Sequence, residues 1–177
     1  HGLYQALQAG KPVLPLFIFD WNILNELPDS RDARVQFLHQ EINAIKKDLE
    51  NTHGSSVLIK YGKPAKVFED LVQEYTVENV FCNRDYEPYA KKRDKHLYEW
   101  LKSKNIHFKG YKDHVIFEKN EVLKDDGDPY VVYTPYMKRY KSRLNQKDLE
   151  SYPVKQHAAN FLKTDPLATV SLAEMGF

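Results

Sequence analysis

The nine residues Pro12 to Asp20 read "PVLPLFIFD". A strand with one wet face alternates apolar and polar residues. This run instead stays apolar until its final aspartate, which is how a strand covered by helices on both faces reads. On its amino side, Leu3, Ala6 and Leu7 form a short helical face that Ala9-Gly10 can close, because glycine takes up the left-handed conformation. On its carboxyl side the spacing predicts a helix from near Asp29 or Ser30, with Val35, Leu38, Ile42, Ile45 and Leu49 along one side. "SSVLIKYG" (55–62) is the next strand, and Pro64 suits the first turn of a helix whose face is Val67, Phe68, Leu71, Val72 and Tyr75. "ENVFCN" (78–83) makes a third strand, Tyr89 to Lys102 a further helix, and "IHFKGY" (106–111) a fourth strand.

Strands that alternate with helices imply an α/β fold: a Rossmann-like three-layer sandwich with a mostly parallel, doubly wound sheet. After Asp113 the pattern decays. "EKNEVLKDDGDPY" (118–130) is loop-like, "TPYMKRYKSRL" (134–144) suits a short basic helix, and no period is sustained from Asn145 onward. Residues 1–144 therefore read as the α/β domain and 145–177 as an interdomain linker.

The chain has 177 residues, 42% of them hydrophobic and 29% charged, enough for one domain with a real core. Its 26 Lys and Arg against 25 Asp and Glu leave no global basic field, so any nucleic-acid contact must be local. "MKRYKSR" (137–143) is a candidate, with Lys138, Arg139, Lys141 and Arg143 interleaved by aromatic residues. A single cysteine, Cys82, excludes an internal disulfide and reads as a small core residue. With no apolar run of membrane-spanning length and no signal-peptide pattern in "HGLYQALQAGKP", the expected location is the cytoplasm.

There is no G-x-G-x-x-G, no Walker-type phosphate loop and no H-E-x-x-H, and the seven histidines form no spacing that reads as a metal site. No catalytic arrangement of Ser, His and Asp stands out. What remains are polar and aromatic residues at the carboxyl ends of strands, where open α/β sheets place ligands: Phe17, Asp20, Trp21 and Asn22 after one, Asn83, Asp85 and Glu87 after another. Taken alone, Asp20 and Asp85 read more readily as caps of turns and helices than as ligand contacts.

Four blocks, "GLYQALQAGKPVLPLFIFDWNIL" (2–24), "NRDYEPYAKKRD" (83–94), "DPYVVYTPYMKRY" (128–140) and "SLAEMGF" (171–177), resemble in order the amino-terminal domain of DNA photolyases and cryptochromes. The resemblance implies a Rossmann-like domain that holds a light-harvesting antenna chromophore, with FAD and ultraviolet-damaged DNA bound by a separate carboxyl-terminal helical domain. It also implies that the family's first strand and an arginine-rich loop precede His1, so that this stretch alone repairs no DNA. Carried over residue by residue, the antenna contacts of deazaflavin- or FMN-type members fall on Phe17, Asp20, Arg34, Asp85 and Glu87. The pair that contacts the pterin in folate-type members is matched by Tyr89 and Ala90. Alanine cannot accept a hydrogen bond, so deazaflavin or FMN is favoured over methenyltetrahydrofolate. Cryptochrome-type blue-light signalling without repair is the alternative, since both classes share this half of the chain.

Overall fold

A computed structural model describes residues 1–177. The order of elements is α1 (Gly2–Gln8), β1 (Leu16–Asp20), α2 (Trp21–Leu24), α3 (Ala33–His53), β2 (Leu58–Gly62), α4 (Pro64–Glu74), β3 (Asn79–Asn83), α5 (Pro88–Ser103), β4 (His107–Tyr111) and α6 (Tyr133–Arg143). This is the α/β alternation expected, and every strand pairing within a sheet is parallel.

The strands form two sheets of two rather than one of four. β1 pairs with β2 in the register Leu16 to Leu58 through Asp20 to Gly62, and β3 pairs with β4 from Asn79 and His107 to Asn83 and Tyr111. β1 and β3 share no backbone hydrogen bond, and a groove separates them. Two ties hold its flanks. Lys11 Nζ meets Glu78 Oε1 at 3.1 Å just before the two strands, and the Tyr89 hydroxyl donates to Asp20 Oδ2 at 2.6 Å just after them. β1 and β3 therefore run in the same direction.

Helical layers cover both faces. Phe19, Val57 and Ile59 pack with Val35 and Leu49 of α3 in the larger core, and Phe17 leans on that core. On the opposite face, Leu16 and Ile18 pack against Phe68 of α4 and Leu97 and Leu101 of α5. The two half-sheets are thus held together by α4 and α5 as well as by their ends. Burial of such apolar side chains contributes about 25 cal/mol per Å², which is why both faces of the strand at Pro12 to Asp20 are apolar.

Two local details differ from the sequence reading. α3 begins later than Asp29 or Ser30, because Asp32 supplies the cap: its carboxylate accepts the Arg34 N–H at 2.8 Å. Of the face assigned to α3, Val35 and Leu49 are buried, whereas Leu38 and Ile45 are exposed. The helix ends at Gly54, whose φ of 55° is the left-handed turn that glycine adopts without steric cost.

The segment read as a linker, 145–177, has no α-helix, yet Ala158, Phe161 and Met175 are buried in the larger core. Val13 forms an isolated parallel bridge with Phe161, and His39 Nε2 is hydrogen-bonded to the Val170 carbonyl at 2.8 Å. No helix is long and apolar enough to cross a membrane.

Candidate functional site at the carboxyl ends of the strands

The groove between β1 and β3 has a volume of about 850 Å³. Leu16 and Ile18 line one flank, Val80 and Phe81 the other, and Phe68 and Leu97 its helical side. Apolar in its middle, it is polar at both ends: Lys11, Glu78 and Asn79 line it at the amino ends of the strands, and Asp20, Arg93 and Asp94 at their carboxyl ends.

Asp20 ends β1 and is only 6% exposed. A carboxylate so far from water needs partners, and it has two: Oδ1 accepts the Asn22 N–H at 3.0 Å, capping α2, and Oδ2 accepts the Tyr89 hydroxyl at 2.6 Å. Asn22 Nδ2 donates to the same tyrosine oxygen at 2.9 Å. Tyr89 stands in the first turn of α5, and the Arg93 guanidinium, four residues on, lies over its ring at 5.9 Å from the centroid. Burial first, then the bond to Asp20, raises the Tyr89 hydroxyl above its ordinary value. Asp20 is therefore both a helix cap and a member of a polar cluster at the groove mouth.

The turn from β3 into α5 carries the second group. Asn83 Oδ1 accepts the Gly2 N–H at 2.7 Å while its Nδ2 donates to Asp113 at 2.8 Å, so α1 is pinned to the end of β3. Asp85 Oδ1 accepts the Glu87 N–H at 3.1 Å, and this bond is the main cause that lowers its carboxyl from the ordinary range. Glu87 is exposed and makes no cap bond of its own. Glu118 accepts from both Arg84 Nη1 and the Tyr86 hydroxyl at 2.6 Å, and burial, followed by that bond, pushes Tyr86 up to about 12. The two tyrosines of "NRDYEPY" thus fasten the turn at two points, Tyr86 to the loop at Glu118 and Tyr89 to β1.

The expected antenna residues do not all converge. Asp20 lines the groove. Asp85 and Glu87 sit in the β3 to α5 turn beside its mouth. Phe17 is directed by strand alternation to the other face of β1, where it meets Phe19 edge to face at 4.9 Å. Arg34 lies at the start of α3, 74% exposed, with Nη2 at 2.5 Å from Asp32. Sequence reasoning missed Tyr89, matched there only to a pterin contact, and Arg93 as members of the polar rim. The four-residue spacing between them was the available signal. Ala90, 3% exposed, is a packing residue.

Elsewhere the side chains are less engaged. Cys82 is half-buried and lines the groove instead of sitting in the core that its sequence setting suggested, and partial burial pushes its thiol up to about 11. No group of three His, Cys, Asp or Glu side chains is close enough to hold a metal ion. On α6, Arg139 is tied to Asp125 at 2.9 Å.

Comparison with known proteins places this geometry. A family model described as DNA photolyase matches residues 1–156. The deoxyribodipyrimidine photo-lyase of Synechococcus sp. is 29% identical over 142 residues, which cover 80% of this chain and 29% of that protein. Among solved structures, a bacterial class III photolyase from Agrobacterium tumefaciens superposes with a TM-score of 0.67 at 25% identity, over 82% of this chain and 29% of the other. An archaeal photolyase from Sulfolobus tokodaii gives 0.62 at 26% identity, over 70% and 28%. The chain spans less than a third of the length of each of these relatives.

Proposed function

The chain belongs to the DNA photolyase family, as its amino-terminal domain, and from that premise we propose that it binds a light-harvesting antenna chromophore at the carboxyl ends of β1 and β3. In the full-length protein the chromophore passes its excitation to FAD in a separate helical domain, for light-driven repair of pyrimidine dimers in ultraviolet-damaged DNA. The observation that carries this reading is the Asp20, Asn22 and Tyr89 cluster: a buried carboxylate, an amide and a phenol at the rim of an apolar cleft. A planar ring with a hydrogen-bonding edge needs that combination.

A deazaflavin or FMN suits the rim better than methenyltetrahydrofolate. The Tyr89 hydroxyl is already committed to Asp20, and Ala90 is buried and has no acceptor. Asp20, Asp85 and Glu87 are the proposed contacts with the ring and its chain. Arg34, on the exposed start of α3, is the proposed partner of a more distant anionic tail, and Phe17 supports β1 from behind. The Sulfolobus tokodaii photolyase structure holds two FAD molecules and implicates a novel light-harvesting cofactor, which supports a flavin-like ring here.

The test is titration with FMN, a deazaflavin and methenyltetrahydrofolate, read by absorbance. FMN or the deazaflavin should bind more tightly than the folate. Asp20→Ala should weaken flavin binding roughly tenfold or more, since a hydrogen bond to a charged group contributes about 1.5–3 kcal/mol. Preferential folate uptake, or flavin affinity unchanged in Asp20→Ala and Asp85→Ala alike, would defeat the assignment.

A further inference from the structure

The carboxyl ends of β1 and β2 carry a pair of side chains that the antenna contacts leave unused. Asp20 stands opposite Gly62 in the ladder, and the residues that follow them, Trp21 and Lys63, meet: Lys63 Nζ lies over the indole ring at 4.8 Å from its centroid. Tryptophan is the aromatic ring that holds a cation best. The backbone under the lysine is fixed as well. Gly62 turns the chain with a φ of 151°, and Pro64 confines the residue before it to the extended conformation that Lys63 has, φ −71° and ψ 126°. The ammonium therefore has a defined position next to the end of β1, and Trp21, 36% exposed, leaves the pair open to a ligand on the rim.

That ammonium has no counter-ion. Arg34, Arg84, Arg93 and Lys112, all near the carboxyl ends of the strands, pair with Asp32, Glu118, Asp94 and Glu121 at 2.5, 2.6, 2.8 and 2.9 Å. No carboxylate stands within 4.0 Å of Lys63 Nζ. The negative charge of the rim lies to the other side, with Asp20 at the end of β1 and Asp85 and Glu87 after β3.

We propose that Lys63, held on Trp21, binds the terminal phosphate of the antenna and so selects a phosphorylated flavin over its unphosphorylated counterpart. The inference rests on the antenna reading and adds to it the direction in which the chromophore lies. A phosphate monoester carries about −1.5 to −2 charges at pH 7. Asp20, Asp85 and Glu87 repel it from the β3 side, and Lys63 is the unpaired cation on the β2 side. The ring accordingly sits toward Tyr89 and the β3 to α5 turn, the ribityl chain crosses the end of β1, and the phosphate reaches Lys63. Arg34, closed onto Asp32, is left for any group further out. Lys63 is exposed, so water and salt screen the contact and its effect on affinity is roughly fivefold.

The experiment titrates the 177-residue chain with FMN and with riboflavin, which has the same ring and ribityl chain but no phosphate, and follows flavin fluorescence. FMN should bind roughly fivefold more tightly at low ionic strength, and the preference should shrink as salt is raised. Lys63→Met keeps the length of the side chain and removes its charge, so the preference should disappear. Lys63→Arg should restore it. A lysine with only a structural role would change both affinities together and leave their ratio alone. Two results would overturn the proposal: equal binding of FMN and riboflavin by the parent chain, or a preference for FMN that persists in Lys63→Met. Either leaves the antenna reading standing, since a flavin still binds at the rim. Binding of neither flavin defeats that reading, and this inference with it.

Discussion

Tyr89→Phe removes one oxygen and leaves the ring, so it isolates what the hydroxyl does at the groove mouth. That oxygen donates to Asp20 at 2.6 Å and accepts from Asn22 at 2.9 Å, so its loss leaves a carboxylate that is 6% exposed with one partner fewer. A bond to a charged acceptor contributes about 1.5–3 kcal/mol, and the lower end applies here because Tyr89 is 37% exposed and water can replace part of it. For a chain of this size, about 1.5 kcal/mol lowers Tm by about 3–6 °C. Thermal unfolding followed by circular dichroism measures this directly. A double-mutant cycle with Asp20→Asn assigns the loss to the pair, and a coupling of at least about 1 kcal/mol is expected. The hydroxyl is raised in the folded state, so its contribution is fully present below the ordinary tyrosine value near 10 and is lost as pH climbs through the raised one. A Tm within about 1 °C of the parent, or additive single changes, would refute the argument that Tyr89 holds Asp20 in place.

Gly2→Ala should be costly out of proportion to its size. An added Cβ would lie 2.9 Å from the Cys82 carbonyl carbon, which is backbone and cannot swing aside, so α1 must lift from β3. A loss of about 1–3 kcal/mol in denaturant unfolding is expected, and an unchanged midpoint would show that α1 is not seated there. Asp32, held down to about 2 chiefly by its hydrogen bond to the Arg34 side chain, stabilises the folded chain fully above its ordinary value of 3.8 and ceases to as pH falls through about 2. Asp32→Ala should therefore lower Tm at pH 6, and the gap from the parent should close between pH 4 and pH 2. A gap that is constant with pH would mean that the carboxylate charge plays no part in the cap.

Much of this molecule is legible from local pattern. Strand and helix alternation from Pro12 to Tyr111, the proline at the start of α4 and the glycine after α1 all act over a few residues, and hydrophobic periodicity records which side of each element meets a core. The doubly covered strand at "PVLPLFIFD" was readable because burial on two faces leaves no polar alternation. The start of α3 was not, since Asp29, Ser30 and Asp32 are all competent caps and only the backbone conformation chooses Asp32. Exposure of Leu38 and Ile45 was equally hidden, because periodicity marks a face without saying whether anything lies against its whole length. Asp20 carried a capping residue type at a strand end, and its cap on α2 acts over two residues, but its second partner, Tyr89, is 69 residues away and no local pattern announces it. Periodicity assigns each strand its two faces, but its two edges are filled by whichever strands the crossovers bring alongside. The resemblance, which places a first strand before His1, already implied a gap among the strands; which strands would flank it, β1 and β3, was decided only by the tertiary structure, because pairing joins residues far apart in the chain.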